Sequence, residues 1–202
     1  MIVLFIRLTF WQQLHGDYDH IGDAINLLNE IKVDEVLFNN DSFNDNENKI
    51  IKVLDKKNIK YSKNSWDFKK IEDLYFLNTK EYDNENDNSN VIYTELDGYK
   101  FIFMADAGID KEKDILDKYN ISGIDVLKIG HHGSKTSSSK YFINEIKPKY
   151  SIISVGKNNR YGHPTSEVLD TLSNSKIYRT DLDGSIEIKL NKNGYKIRTC
   201  PP

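Results

Sequence analysis

The chain has 202 residues, 38% of them hydrophobic and 29% charged, which suits a single domain with a sizeable buried core. A formal net charge of −3 gives no global basic field for gripping nucleic acid, leaving only a local basic strip or a bound cation to attract one. The lone cysteine, Cys200, excludes a disulfide framework and a cysteine-based zinc finger.

The apolar opening MIVLFIRLTFW is about half the ~20 residues that a membrane span needs. Arg7 interrupts it, and no small-residue cleavage pattern follows. Residues 1–10 therefore read as a buried strand. Ile21, Ala24, Ile25, Leu28 and Ile31 recur at helical spacing and predict a helix over 21–31. A short strand is expected at 34–38, a polar loop at 39–48, and a second helix at 46–57 with Ile50, Ile51 and Leu54 on one face. Residues 59–61 and 73–78 are candidate strands on either side of an irregular stretch containing Trp66, and 80–88 reads as a polar loop. Asp97-Gly98 joins strand-like runs at 91–96 and 99–104, a strong hairpin signal. Then come a helix at 110–119, a buried strand at 124–129, a helix at 137–146 ending before Pro148, and a strand at 150–155. A helix at 165–173 has Thr165 or Ser166 as its cap. Three strands close the chain, 176–180, 185–190 and 195–199, with Asp183-Gly184 and Asn193-Gly194 as the turns between them. Strands interleaved with helices, with hairpins inside, indicate a layered α/β fold with helices outside sheets. No repeat or linker divides it.

The chemistry-bearing residues gather at strand ends and loops. All five histidines, His15, His20, His131, His132 and His163, sit beside Gly, Asp or Pro. The segment His15-Gly16-Asp17-Tyr18-Asp19-His20 places two imidazoles and two carboxylates within one short loop, a donor set that suits Zn²⁺, Mn²⁺ or Fe²⁺. Its plainer alternative is a polar loop in which Asp19 caps the helix at 21–31. Asp106 follows the strand FIFM and is placed either to bridge metals or simply to open a turn. A buried strand delivers Gly130-His131-His132-Gly133, and Ser134, Lys135, Thr136 and Ser137 then offer hydroxyls and a cation suited to a phosphate. His163, in a Gly-His-Pro loop, is open to ligand, acid/base or structural roles. Asp181 is a candidate to orient a histidine from behind, or merely starts a turn. Arg179 is a candidate phosphate contact or a surface residue.

Taken together, HGDYDHIGD, NDNSNVIYTEL, FIFMADAG, LKIGHHGSKTSSS, ISVGKNNRYGHP and YRTDLDG resemble the metallo-β-lactamase superfamily. More narrowly they resemble the C-terminal hydrolase domain of ComEC-type competence DNA-uptake proteins and its free-standing relatives. The motifs stand in the family's order and cover residues 14 to about 190. The resemblance implies a four-layer αβ/βα sandwich with the site at the sheet edges, and a hydrolase with two divalent metal ions, Zn²⁺ or Mn²⁺. It implies a phosphodiester substrate, DNA among the candidates, since in such proteins the domain is associated with degrading the non-transported strand. By motif, His15, Asp17, Asp19, His20, Asp106, His131 and His132 are implied as metal ligands or their neighbours, with His132, next to Gly133, favoured over His131 for direct contact. Asp19, Asp106 and His163 are implied in catalysis, Ser134, Lys135, Thr136 and Arg179 in substrate binding, and Asp181 behind them.

The sequence departs from the family in several places. Asp17 replaces the second His of HxHxDH, which favours a harder metal such as Mn²⁺. No histidine lies between His20 and His131, and Asn86-Asp87-Asn88-Ser89 stands near the place of the usual mid-chain ligand. Ala105 stands where the family has Gly, adding a methyl beside the site. Only about fourteen residues precede His15, so residues 1–202 read as one domain lacking its first strands, with an exposed sheet edge. The competing functions are another hydrolase of the same fold (a lactonase, thioesterase or phosphorylcholine esterase) and an inactive truncated remnant. With no membrane segment expected, the default location is cytoplasmic. The alternative is an extracytoplasmic domain of a longer membrane protein. No protein partner is indicated.

Overall fold

The computed structural model describes residues 10–12, 21–39, 43–64, 70–71, 73–191 and 194–201. Its first part is a parallel sheet of β1 (Phe10–Gln12), β2 (Glu35–Phe38) and β3 (Lys60–Lys63), in that spatial order. Helices α1 (Ala24–Glu30) and α2 (Asp45–Lys57) form the crossovers that parallel neighbours require. The α2 start is held by a capping box. The Asn44 side chain accepts from the Asn46 and Glu47 amides at 2.9 and 3.0 Å, and the Glu47 carboxylate accepts from the Asn44 amide at 2.8 Å. Asp45 and Glu47 in the first turn and Lys56 and Lys57 in the last both suit the helix dipole.

The second sheet has seven strands in the order β10-β9-β8-β7-β6-β5-β4. These are β4 (Lys70–Ile71), β5 (Leu74–Phe76), β6 (Ile92–Leu96), β7 (Tyr99–Phe103), β8 (Val126–Lys128), β9 (Tyr150–Ile153) and β10 (Lys176–Arg179). The β4 to β7 half is antiparallel, and β7 to β10 is parallel. At the β6–β7 turn, Asp97 (φ 51°) and Gly98 (φ 81°) are both left-handed, as a two-residue hairpin of the primed type needs. The parallel half is linked by α3 (Ile109–Lys118), α4 (Lys140–Ile146) and α5 (Ser166–Thr171).

Alternation along the strands builds the layers. On β2, Val36 and Phe38 face α1 and α2 and pack with Leu28, Ile50 and Leu54, while Leu37 faces the other way onto Phe76 and Ile92 of the second sheet. On β7, Phe103 joins that inter-sheet cluster, and Ile102 packs with Ile115, Phe142 and Val168 beneath α3, α4 and α5. The result is helix, sheet, sheet, helix. Buried Asn64, beyond β3, also donates to Asn78 and Asn90 at 3.1 and 2.6 Å, tying the two sheets through polar side chains.

Several boundaries differ from the sequence expectation. The helix expected at 21–31 has its regular span at Ala24–Glu30, with Asp23 in the capping position, whereas Asp19 lies outside the described residues. The helix expected at 137–146 begins at Lys140 because the Ser139 hydroxyl accepts from the Phe142 amide and caps it. The strands on either side of Asp183-Gly184 do not form a hairpin. After β10 the chain turns through the short helix α6 (Thr180–Asp183) and enters β11 (Ser185–Asn191), which pairs antiparallel only with β12 (Gly194–Cys200). Gly184 is required there, since it has φ 69° and a Cβ would run into the Cys200 carbonyl. Tyr195 of this hairpin seats its ring between Tyr99 and Tyr150 of the large sheet, centroids 4.7 and 5.6 Å away.

Candidate active site

The ends of the adjacent parallel strands β7, β8 and β9 carry Asp106, the His131-His132 pair and the loop of His163. Crevices outside the carboxyl ends of such strands are where open α/β sheets place ligands. His15, Asp17, Asp19 and His20 lie outside the described residues.

The turn after β7 is buried, with Asp106 3% exposed. Segment 86–89, near the place of the family's mid-chain histidine, supports that turn from behind. A 3-10 turn at Asn86–Asn88 buries Asp87, whose carboxylate accepts from the Gly108 amide at 2.6 Å and from Asn84 at 2.7 Å. The Ser89 hydroxyl accepts from the Asp106 amide at 3.4 Å. A Cβ at Gly108 would stand 3.0 Å from both the Asp87 carboxylate and the Thr136 carbonyl, so a side chain there would press them back by a few tenths of an ångström. The polar composition of segment 86–89 reads as a loop, and nothing local marks it as buried scaffolding.

Beyond β8, His131 (φ 45°) and His132 (φ 55°) are both left-handed, as is Ala105 (φ 49°). Each such non-glycine residue costs about 1 kcal/mol, and strain of this kind gathers at functional sites. Ala105 therefore carries backbone strain that a glycine there would not. The two turns are joined, since the His131 amide donates to the Ala105 carbonyl at 2.9 Å.

His132 is oriented by its backbone surroundings. Its Nδ1 lies 2.6 Å from the Ser154 carbonyl, which can only accept, so Nδ1 carries a proton and the neutral ring has its lone pair on Nε2. Nε2 lies 3.9 Å from Asp106 Oδ1, within the roughly 4 Å that two metal–ligand bonds of about 2 Å can span. Thr180 locks the segment after Ser154, its hydroxyl donating to the Val155 carbonyl and accepting from the Val155 amide, both at 2.8 Å. The His131 ring lies 6.5 Å from that of His132 and 6.1 Å from that of His163, with His131 Nδ1 3.2 Å from the Thr136 hydroxyl. His163 Nδ1 is buried without a hydrogen-bond partner. Its pKa is lowered, by burial first and then by the neighbouring His131 and His132, which favours a neutral ring. These features fit a divalent cation: an imidazole whose Nε2 faces a buried carboxylate, and a buried ring nitrogen of His163 with no hydrogen-bond partner. Among the described residues, no group of three or more His, Cys, Asp or Glu side chains converges closely enough to hold a metal by itself.

The expected substrate-binding residues divide. Ser134 is buried and shares a 3.0 Å hydrogen bond with Thr136, while Lys135 and Thr136 are exposed at the mouth. Ser137 turns inward, donating to the Gly130 carbonyl at 2.8 Å, and serves the loop. Arg179 and Asp181 are brought together. The Arg179 guanidinium donates to both Asp181 carboxylate oxygens at 3.0 and 2.6 Å, so among the described residues the partner of Asp181 is Arg179. At the end of β8, buried Lys128 donates to the Ile129 carbonyl at 2.8 Å, and its pKa is lowered to about 8 by burial against the favourable charge of Asp106.

Comparison with known proteins decides the family. The Metallo-beta-lactamase superfamily profile matches residues 15–157. The chain belongs to the metallo-β-lactamase superfamily. It is 32% identical over 196 residues to ComE operon protein 3 of Bacillus subtilis (strain 168), covering 93% of this chain and 25% of that protein. It is 36% identical over 130 residues to competence protein ComA of Neisseria gonorrhoeae, covering 61% of this chain and 19% of that protein. Recombination protein 2 of Haemophilus influenzae is 30% identical over 116 residues, 56% of this chain and 14% of that protein. The chain thus spans a quarter or less of the length of these curated relatives. The helix, sheet, sheet, helix layering agrees with the superfamily's sandwich. No helix among the described residues is long and apolar enough to cross a membrane.

Proposed function

We propose that this superfamily domain is a metal-dependent phosphodiesterase, acting on DNA or a related polynucleotide as part of competence-type DNA handling. The observation that carries the proposal is the approach of the His132 lone-pair nitrogen to Asp106, beside a loop of exposed hydroxyl and cationic groups. The names of the relatives, which speak of competence and recombination, support the same substrate class.

Asp106 and His132 would hold a divalent ion, with the His15–His20 segment supplying the further ligands that the resemblance implies, and a second ion would complete the proposed two-metal site. When bound, such ions supply Lewis acidity at the phosphoryl oxygen and activate water. The chain's own groups do the rest. Ser154 fixes the His132 tautomer, Asp87 and Ser89 hold the Asp106 turn in place, and His163, its pKa lowered by burial, stands beside His131 as the candidate acid/base group. Lys135 and Thr136, exposed at the mouth, neutralise and orient phosphate charge, and Ser134 holds the Thr136 hydroxyl from beneath.

The test is Mn²⁺-dependent hydrolysis of bis-p-nitrophenyl phosphate. Asp106→Ala is expected to lower kcat by at least about 10²-fold, as loss of a central charge-stabilising group does. An unchanged rate in that variant would refute the assignment.

A further inference from the structure

The loop from Ser154 to Thr165 carries more than His163. Asn159 folds it into a closed tip: its side-chain amide donates to the His163 carbonyl at 2.7 Å, and its side-chain carbonyl accepts from the His163 amide at 3.0 Å. Asn158 (φ 60°) and Gly162 (φ 69°) supply the reversals on either side. The clamp pushes Arg160 and Tyr161 outward at the rim of the site. The Tyr161 ring stacks on His163 with centroids 5.9 Å apart and planes 20° from parallel. Arg160 leans on its hydroxyl end, donating to the Tyr161 oxygen at 2.9 Å with the guanidinium carbon 5.1 Å from the ring centre. Even with both neighbours in place Tyr161 is 66% exposed, the most exposed large hydrophobic residue among those described. Folding gains little from leaving such a ring in water. Rings therefore run inward in sequence from Tyr161 to His163, to His131 and to His132, which faces Asp106.

We propose that Tyr161 and Arg160 form a platform that stacks one nucleobase of a single-stranded nucleic acid and so positions the neighbouring phosphate over the site. This rests on the phosphodiesterase reading. An exposed ring beside a guanidinium suits any base, because every base has a π face and stacking is tolerant of sequence. Exposed Lys157 on the same loop adds a charge for the backbone. In a duplex the base faces are already covered by their neighbours, so the platform selects single strands or frayed ends.

The experiment is fluorescence anisotropy with a labelled oligothymidylate of about ten nucleotides, an abasic strand of equal length and charge, and a duplex, all in EDTA to prevent cleavage. The wild type is expected to bind oligothymidylate more tightly than either control. Tyr161→Ala closes the gap to the abasic strand by a loss of about tenfold, the order of one stacked base. Tyr161→Trp and Tyr161→Phe keep the gap. Tyr161→Leu, of similar bulk without a π face, also closes it, and carries the comparison if the alanine variant fails to fold. Equal binding of the base-bearing and abasic strands by the wild type, or an equal loss on both in the variants, overturns the platform. Hydrolysis of bis-p-nitrophenyl phosphate by the wild type is scored separately. A base-dependent gap without hydrolysis removes the enzymatic reading and keeps the platform, while hydrolysis without the gap removes the platform alone.

Discussion

Gly133 stands under two constraints at once. Its φ is +84°, and a Cβ there would lie 2.5 Å from the Cβ of Pro164 and 3.0 Å from its Cα. The Gly133 carbonyl also accepts from the Thr165 amide at 3.0 Å, so the histidine-pair turn and the His163 loop are fastened to each other at this residue. Gly133→Ala is therefore expected to do more than strain its own backbone. Pro164 must move, and His163 moves with it. Stability should fall by about 2 kcal/mol in urea unfolding, the cost of a left-handed alanine plus the clash. The rate of bis-p-nitrophenyl phosphate hydrolysis should fall on the order of 10²-fold, because a displacement of about 1 Å suffices for that. A variant that keeps wild-type rate and stability would show that the two turns are not coupled. The glycines flanking the histidine pair are visible in the sequence as a sign of close approach. What approaches Gly133, a proline thirty-one positions later, is not, because nothing local to either residue encodes it.

Among the elements, α3 is the one whose role exceeds its packing. Its helical stretch is legible in the sequence, and so is the strand and hairpin pattern of β6, β7 and β8, because each follows from a local pattern. The work of Glu112 is not legible. This buried carboxylate on α3 accepts from the amides of Ser138 and Ser139, the second at 2.9 Å, and so holds the backbone that leads into α4. Burial raises its pKa, with the backbone hydrogen bonds from Ser139 and Ser138 opposing that rise. Ser138 itself is left-handed, at φ 58°, a conformation that the carboxylate helps to fix. Removing the acceptor strands two amides. Glu112→Ala is expected to cost about 3 kcal/mol by urea unfolding, the order for buried donors left without partners, and Glu112→Gln, which retains one acceptor oxygen, should cost less. Equal losses in the two variants would contradict the capping role. The hairpin expected between β10 and β11 failed for a related reason. An Asp-Gly pair predicts a reversal but not which strand receives the chain afterwards, and here β11 pairs with β12, leaving β10 as the edge strand of the large sheet.

Over the whole molecule, the site is assembled from loops far apart in sequence, so its members were legible as residue types while their supports were not. Asp106, His131, His132 and His163 stood out by chemistry. Asp87, Ser154, Asn159 and Lys111 are defined by what folding brings beside them. Lys111 has a consequence for global stability. Its ammonium is buried, donates to the Ser89 carbonyl at 2.7 Å and lies 5.7 Å from the Tyr82 ring. Burial lowers its pKa from 10.5 to about 8, against the favourable charges of Asp87 and Asp114. Below about 8 the folded and unfolded chains are both protonated at this lysine, and the cost of burying the charge is constant. Between about 8 and 10.5 the unfolded chain holds a proton that the folded chain has released, so stability rises with pH through that window. Lys128 contributes in the same direction. Comparing the wild type with Lys111→Met, which keeps the bulk and removes the charge, cancels the contribution of Lys128 and every other shared group. From pH 7 to 10.5 the unfolding free energy of the wild type is expected to climb relative to the variant by up to about 3 kcal/mol, the free-energy equivalent of the shift. Parallel curves across that range would mean that Lys111 titrates in the folded protein as it does in the unfolded chain, and that its burial is relieved by water.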